Sequence, residues 1–181
     1  APATQTFSFV VKPEPVVSLF KVSSGSTFCE GETINFASLG ADSYEFFVDG
    51  QSLGITTNSN LDISTLPPGN PEITVTGYTD GCSGISIDTL TVQITPLPTV
   101  TLTSSTTASL CQGDTIKVFA GGATSYQFLI DGVAQGPSTP IDSLVLPNLQ
   151  SGQVVQVVGT ANACSDTSST ALTFTIDPVP V

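Results

Sequence analysis

The sequence predicts an all-β protein built from two tandem copies of one small sandwich. Three observations lead there. Apolar residues recur with a period of two, and no stretch of ten residues carries a helical face. Thr, Ser, Gly, Val and Pro dominate while charged residues make up only 10%, which is the composition of short strands joined by turns. The third observation is an internal repeat. "CEGETINFASLGADSYEFFVDG" at 29–50 lies on "CQGDTIKVFAGGATSYQFLIDG" at 111–132 without a gap, identical at 11 of 22 positions and offset by 82 residues.

The same offset carries Gly77 onto Gly159, Cys82 onto Cys164, Leu90 onto Leu172, Ile94 onto Ile176, and Pro96 and Pro98 onto Pro178 and Pro180. Only "ISTLPPG" against "LPNLQSG" needs a residue inserted and then lost, as a surface loop tolerates. The chain therefore divides into a leading segment at 1–15, a first repeat at 16–98 and a second at 99–181.

The leading segment is expected to be the terminal strand and Pro-x-Pro linker of a preceding repeat. "FSFVVKPEP" at 7–15 follows the pattern of "LTVQITPLP" at 90–98 and "LTFTIDPVP" at 172–180, so that Phe7, Phe9 and Val11 stand where Leu90, Val92 and Ile94 stand. The chain thus reads as a segment of a longer array, with Phe7, Phe9 and Val11 as an inter-repeat strand. A strand that pairs locally is the alternative.

Strands of the first repeat are expected at 17–22, 33–38, 43–48, 52–56, 61–64, 72–78 and 85–95. Asp49-Gly50 and Asp131-Gly132 are tight-hairpin dipeptides, because Gly accepts the positive φ such turns need. Seven short strands in about 82 residues, with turns between them, point to an immunoglobulin-like β-sandwich. Tyr44, Phe46 and Val48, like Tyr126, Phe128 and Ile130, share one strand face and are the expected core layer. The Pro-x-Pro elements stop the sheet from running on and make short, stiff joints, so the expected whole is an elongated array.

Charge narrows the partners. Three basic residues against fifteen acids give a net charge of −12, which repels nucleic acid and anionic membrane. The apolar runs are too short for a membrane-spanning helix, so no direct membrane insertion is expected. The opening "APATQT" lacks the charged and apolar segments of a signal peptide, and any such signal is expected to have been removed.

Four cysteines form two equivalent pairs, Cys29 with Cys82 and Cys111 with Cys164. Three pairings are possible, and the repeat favours one bridge per unit. Such a bridge stabilises by roughly 4 kcal/mol on the chain-entropy model and implies an oxidising, extracellular compartment. One difficulty stands against it: in a strict immunoglobulin layout the loops holding the two cysteines lie at opposite ends.

Catalysis has little support in the sequence. Without His there is no Ser-His-Asp or Cys-His arrangement. Asp42, Glu45 and Asp49 are the carboxylates one would pair for acid–base work, but Asp49 and Asp131 read as turn residues, and Glu32 and Asp114 as strand starts. No catalytic residue and no cofactor is expected. No metal site is expected either, since CxxC spacing, DxD runs and calcium loops are missing; Glu14 and Asp177, beside linker prolines, are the best junction candidates for calcium.

The order Cys-x-Gly-(Asp/Glu)-Thr-Ile, then Gly-Ala-x-Ser-Tyr-x-Phe-x-x-Asp-Gly, then a second Cys after Asp80-Gly81, then a strand ending in Pro-x-Pro, carries a resemblance. It resembles the Ig-like and PKD-like repeats of large cell-surface proteins of Bacteroidota, among them type IX-secreted adhesins associated with gliding motility. The second copy departs from the pattern at Asn162-Ala163, before Cys164. The resemblance implies export to the cell surface, a stalk or filament, and a role in attachment or spacing. It also implies possible O-glycosylation at Asp-(Ser/Thr)-apolar triplets, which here fall at Thr89, Thr115 and Ser143.

Three functions are open on the sequence. The first is a spacer segment of a secreted surface adhesin, whose partners are neighbouring repeats of the same chain or filament. The second is a filament subunit that polymerises by donating its N-terminal strand. The third is a sugar-binding accessory module of a secreted enzyme, with surface polysaccharide as the partner. An elongated array predicts an extended small-angle scattering profile for the isolated chain; a compact profile would contradict it.

Overall fold

A computed structural model describes residues 5–106 and 109–178. The chain forms two compact units, Ala1–Thr95 and Pro96–Val181. Every regular element in the described residues is a strand.

The first unit contains β1 (Ser18–Lys21), β2 (Thr27–Cys29), β3 (Ile34–Leu39), β4 (Ser43–Val48), β5 (Gln51–Thr56), β6 (Asn60–Ile63), β7 (Glu72–Thr79), β8 (Cys82–Ile85), β9 (Leu90–Thr91) and β10 (Gln93–Thr95). One sheet runs β1-β3-β6; the other runs β5-β4-β7-β8, with β9 also on β7. A short parallel ladder joins β10 to β2. The two faces meet in one core. Leu19, Ile34, Phe36 and Ile63 come from the first sheet, Tyr44, Phe46, Ile73 and Val75 from the second, and Phe28, Val92 and Ile94 close the side. Alternation along each strand produces this, since residues two apart share a face. The unit is an immunoglobulin-like sandwich.

The second unit repeats the plan with β11 (Thr101–Ser104), β12 (Leu110–Cys111), β13 (Thr115–Gly121), β14 (Ser125–Ile130), β15 (Val133–Ala134), β16 (Ser143–Pro147), β17 (Val154–Ala161), β18 (Cys164–Thr167), β19 (Leu172–Thr173) and β20 (Ile176–Asp177). Its sheets run β11-β13-β16 and β15-β14-β17-β18, β19 pairs with β17, and β12 pairs in parallel with β20. Register is kept across copies: Tyr44 faces Gly77 and Tyr126 faces Gly159. The expected aromatic layer is buried in both. Each Tyr hydroxyl donates to a backbone carbonyl, Tyr44 to Ala41 at 2.8 Å and Tyr126 to Ala123 at 2.6 Å, so burying the ring leaves no orphan polar atom.

Gly77 explains why the first strand sits where it does. A Cβ there would lie 2.5 Å from a Val17 methyl and 2.6 Å from the Ala41 Cβ, and at Gly159 the matching distances to Val100 and Ala123 are 2.6 and 2.8 Å. The bare backbone opposite the Tyr is thus filled by the valine that leads into β1 or β11.

Three expectations change. The strand expected at 85–95 is broken into β8, β9 and β10, because Ser86 turns its hydroxyl to the Asp88 carbonyl and the ladder on β7 is interrupted. Strand β2 was not expected; it is three residues long, and its partner β10 lies more than sixty residues away. Phe7, Phe9 and Val11 form no strand and are exposed, since no described strand pairs with them. Pro180 lies outside the described residues.

The hairpin dipeptides fold as expected. Asp49 and Gly50 have φ of 48° and 77°, and Asp131 and Gly132 have 50° and 77°. Each Asp side chain also accepts the backbone N–H that opens the next central strand, Glu72 or Val154, at 2.8 Å. At the second hairpin the copies differ: Asp80-Gly81 becomes Asn162-Ala163, which puts an alanine at a φ of 67°. Ala163→Gly should therefore raise stability by about 0.5–1 kcal/mol, read from chemical unfolding, with no change in fold. A destabilised variant would contradict the strain at this turn.

Candidate functional site

The features with chemistry in them are the cysteines, and the sandwich places them at its two ends. Cys29 and Cys111 each open a tight turn, Cys-x-Gly-(Glu/Asp). In the first copy the Cys29 N–H donates to the Glu32 carboxylate at 3.0 Å, and the Glu32 N–H returns to the Cys29 carbonyl at 3.0 Å. In the second copy Cys111 and Asp114 make the same pair of bonds at 2.8 and 3.0 Å. Gly31 and Gly113, with φ of 83° and 96°, occupy the third turn position, where a positive φ is required. Glu32 and Asp114 therefore close a turn that presents the cysteine, instead of only starting a strand.

Cys82 and Cys164 open β8 and β18, each after a hairpin, opposite Thr79 and Ala161. Strand β7 begins at Glu72 beside Thr91 and ends at Thr79 beside Cys82. Its eight residues span roughly 24 Å at about 3.4 Å per residue. Beyond its start, β10 continues to Thr95, and Thr95 faces Cys29. Cys29 thus lies at the trailing end of its unit and Cys82 at the leading end, near Pro15. The second copy has the same geometry, with Cys111 facing Asp177 and Cys164 facing Ala161.

This separation overturns the bridge expected inside each unit. A disulfide needs Cα atoms within about 7 Å, which two ends of one sandwich cannot supply. Cys82 and Cys111 are free thiols, half-buried and exposed respectively, while Cys29 and Cys164 each belong to a disulfide, so neither within-unit pair is bonded. The signal was available in the sequence as the conflict between loop position and assumed pairing. A disulfide in a small β-sandwich fits an extracellular or secreted protein.

Around Cys82 the leading segment is held by specific contacts. The Cys82 Sγ lies 4.0 Å from the Lys12 carbonyl, and the Lys12 ammonium donates to the Asp80 carbonyl at 3.2 Å. Lys12 also pairs with the Asp80 carboxylate at 3.6 Å, an exposed ion pair that adds little stability. The Pro15 carbonyl lies where a Cβ on Gly84 would stand.

The three carboxylates named from the sequence, Asp42, Glu45 and Asp49, make separate contacts. Glu45 accepts hydrogen bonds from Ser52 at 2.5 Å and Tyr78 at 2.6 Å on the outer face of the second sheet. The Ser52 bond, then the Tyr78 bond, hold its pKa below the ordinary 4.5, while desolvation opposes them. Tyr78 is raised above 10.0 by the bond to Glu45, by desolvation and by the Glu45 charge. Asp42 and Asp49 lie away from this cluster, bonded through their backbone or in the hairpin. Glu14 and Asp177 are exposed, and among the described residues no three His, Cys, Asp or Glu side chains group closely enough to hold a metal ion.

Of the triplet hydroxyls, Thr89 is exposed just before β9, Thr115 is exposed on β13 opposite Pro147, and Ser143 is half-buried at the start of β16. The second unit also has a groove of about 210 Å³ lined by Tyr126, Phe128, Pro137, Thr139, Ile141 and Leu144, open where β15 is only two residues long. Ligand pockets usually start near 300 Å³.

No family model and no curated protein matches the chain. Among solved structures, the fibronectin(III)-like modules of Clostridium thermocellum CbhA align with a TM-score of 0.40 at 15% identity, covering 89% of this chain and 95% of that one. Murine CEACAM1b aligns at 0.40 and 11%, covering 89% and 100%. The N-terminal eight Ig domains of Down Syndrome Cell Adhesion Molecule align at 0.49 and 11%, covering 91% of this chain and 24% of that one. Such likenesses say nothing of function.

The Glu45 cluster yields a pH dependence. Its contribution to stability is complete above the unfolded pKa of Glu, near 4.5, and is lost as pH falls through the lower folded pKa. Glu45→Gln should lower the melting temperature near neutral pH, and the gap to the parent should close below about pH 4. A gap that stays constant through the acid range would show that the charge is not its source.

Proposed function

We propose that this chain is a non-enzymatic structural segment of a large secreted bacterial surface adhesin or surface filament, in which repeated sandwiches act as a stalk that mediates attachment or gliding. The observation that carries the reading is the repetition of ladder, register and cysteine turn in both units. A fold repeated with its termini-proximal turns intact is what a spacer needs, since each copy must offer the same joint to the next. An immunoglobulin-like module also serves as an adhesion domain in its own right, so binding of a partner belongs to the same class of function.

A second reading, strand donation, draws on one specific observation. The residues equivalent to Phe7 and Phe9 pack in the core: Val92 and Phe174 are buried, and Leu90 and Leu172 pack against the core. Phe7, Phe9 and Val11 are 71%, 86% and 91% exposed. A core-facing set without a core suits the sheet of another repeat, whether that repeat belongs to the same chain or to a second copy.

Deletion separates the two readings and tests the first. In the full surface protein, removing residues 16–98, one whole repeat, should shorten the reach of the stalk while leaving ligand affinity of the isolated binding region unchanged. Removing 1–13 from the isolated chain should leave its assembly state unchanged. Loss of polymerisation on that second deletion would favour donation, and loss of ligand affinity on the first would make the repeats themselves the binding element.

A further inference from the structure

Three Asp-Gly dipeptides occur in the chain, Asp49-Gly50, Asp80-Gly81 and Asp131-Gly132, and each forms the two-residue turn of a hairpin. All six residues have positive φ, and all three aspartates are exposed. Backbone conformation and exposure therefore do not tell the three turns apart. The hold on the carboxylate does. Asp49 accepts the Glu72 N–H at 2.8 Å. Asp131 accepts the Val154 N–H at 2.8 Å through one oxygen and the Gln153 side-chain amide at 3.0 Å through the other. Such charge-assisted bonds pin each side chain against the next central strand. Among the described residues the Asp80 carboxylate has only its exposed ion pair with Lys12 at 3.6 Å, which holds it weakly.

We propose that Asp80-Gly81 is a self-modification site, at which Asp80 converts to isoaspartate through a cyclic succinimide while Asp49 and Asp131 stay intact. In the acid form of Asp80 the Gly81 nitrogen attacks the side-chain carbonyl carbon. An N–C bond forms, and the carboxyl hydroxyl leaves as water with the proton from that nitrogen. Water then opens the ring at either carbonyl, and opening at the main-chain carbonyl leaves the chain running through the side chain. No atom is gained or lost overall, and water is the only co-reactant.

Glycine suits the first step because no side chain crowds the attacking nitrogen. The second copy lacks the site, since Asn162 and Ala163 stand at that turn and the alanine methyl lies beside the nitrogen. The product adds a methylene to the turn that sets Thr79 opposite Cys82. It also converts the Asp80 carbonyl, which accepts from the Lys12 ammonium at 3.2 Å, into a pendent carboxylate. Conversion thus loosens β8 on β7 and alters the hold on the leading segment.

The test stores the folded chain for weeks at mildly acid pH, beside the same chain in concentrated urea, and digests both. Isoaspartate is then read peptide by peptide with an isoaspartyl methyltransferase and a labelled methyl donor. In the folded chain the Asp80 peptide should carry a several-fold excess of label over the Asp49 and Asp131 peptides, and in urea the three should label alike. Equal labelling in the folded chain overturns the proposal, because the carboxylate bonds then protect nothing. The same excess in urea also overturns it, because local sequence then decides. Gly81→Ala has open space for its methyl, and the matching turn of the second copy accommodates an alanine at a φ of 67°. It should abolish the label at Asp80; label that persists has another source, and the proposal fails. Asp80→Asn offers ammonia as a better leaving group and should gain label faster than the parent. If this variant gains none, the turn does not close the ring and the proposal fails. Amide exchange along β8 should be faster in the isoaspartate fraction than in the parent, and an unchanged rate overturns the loosening.

Discussion

The central antiparallel pair, β4 on β7 in one unit and β14 on β17 in the other, sets everything else. It is the longest ladder in each sandwich, six residue pairs with Tyr opposite Gly. The glycine admits the valine of the first strand, and the Tyr hydroxyl ties the ring to the turn before its own strand. Lengthening the side chain at Gly77 would push Val17 out and, with it, the leading edge of the first sheet.

That ladder is also a ruler. Because β7 and β17 each run the height of a sandwich, the hairpin that follows ends at the leading end, and the strands that return along them reach the trailing end. The cysteines inherit those positions. Their chemistry then follows from distance: two thiols on opposite ends of one sandwich are unable to meet, so no bond forms within it. The local turn adds orientation, since two reciprocal hydrogen bonds and a glycine at positive φ hold each first-position cysteine in a defined pose.

The two copies have diverged where the fold permits it. The second hairpin tolerates Ala163 at positive φ, and the edge strand after β14 has two residues where the one after β4 has six, with a groove lying beside Tyr126 and Phe128. Neither change touches the central ladder or the cysteine turns. Edges and loops absorb change because few core contacts depend on them, while the interior tolerates little alteration of volume.

The sequence by itself determined the fold class, the two-fold repeat, the hairpins at Asp49-Gly50 and Asp131-Gly132, and the buried face of Tyr44 and Phe46. These are local properties: a period of two, a dipeptide that accepts positive φ, and a repeated string each carry their own meaning without reference to distant residues. Only the tertiary structure decided the parallel ladder of β2 on β10, the break in the last strand, and the fate of the cysteines. Pairing across more than sixty residues leaves no periodic trace in the chain, and equal spacing of Cys29 and Cys82 with Cys111 and Cys164 reports equivalence between copies, not proximity within one. Proximity is set by where a strand of fixed rise per residue ends, and in these sandwiches β7 and β17 end too far from the first-position cysteines for a bond.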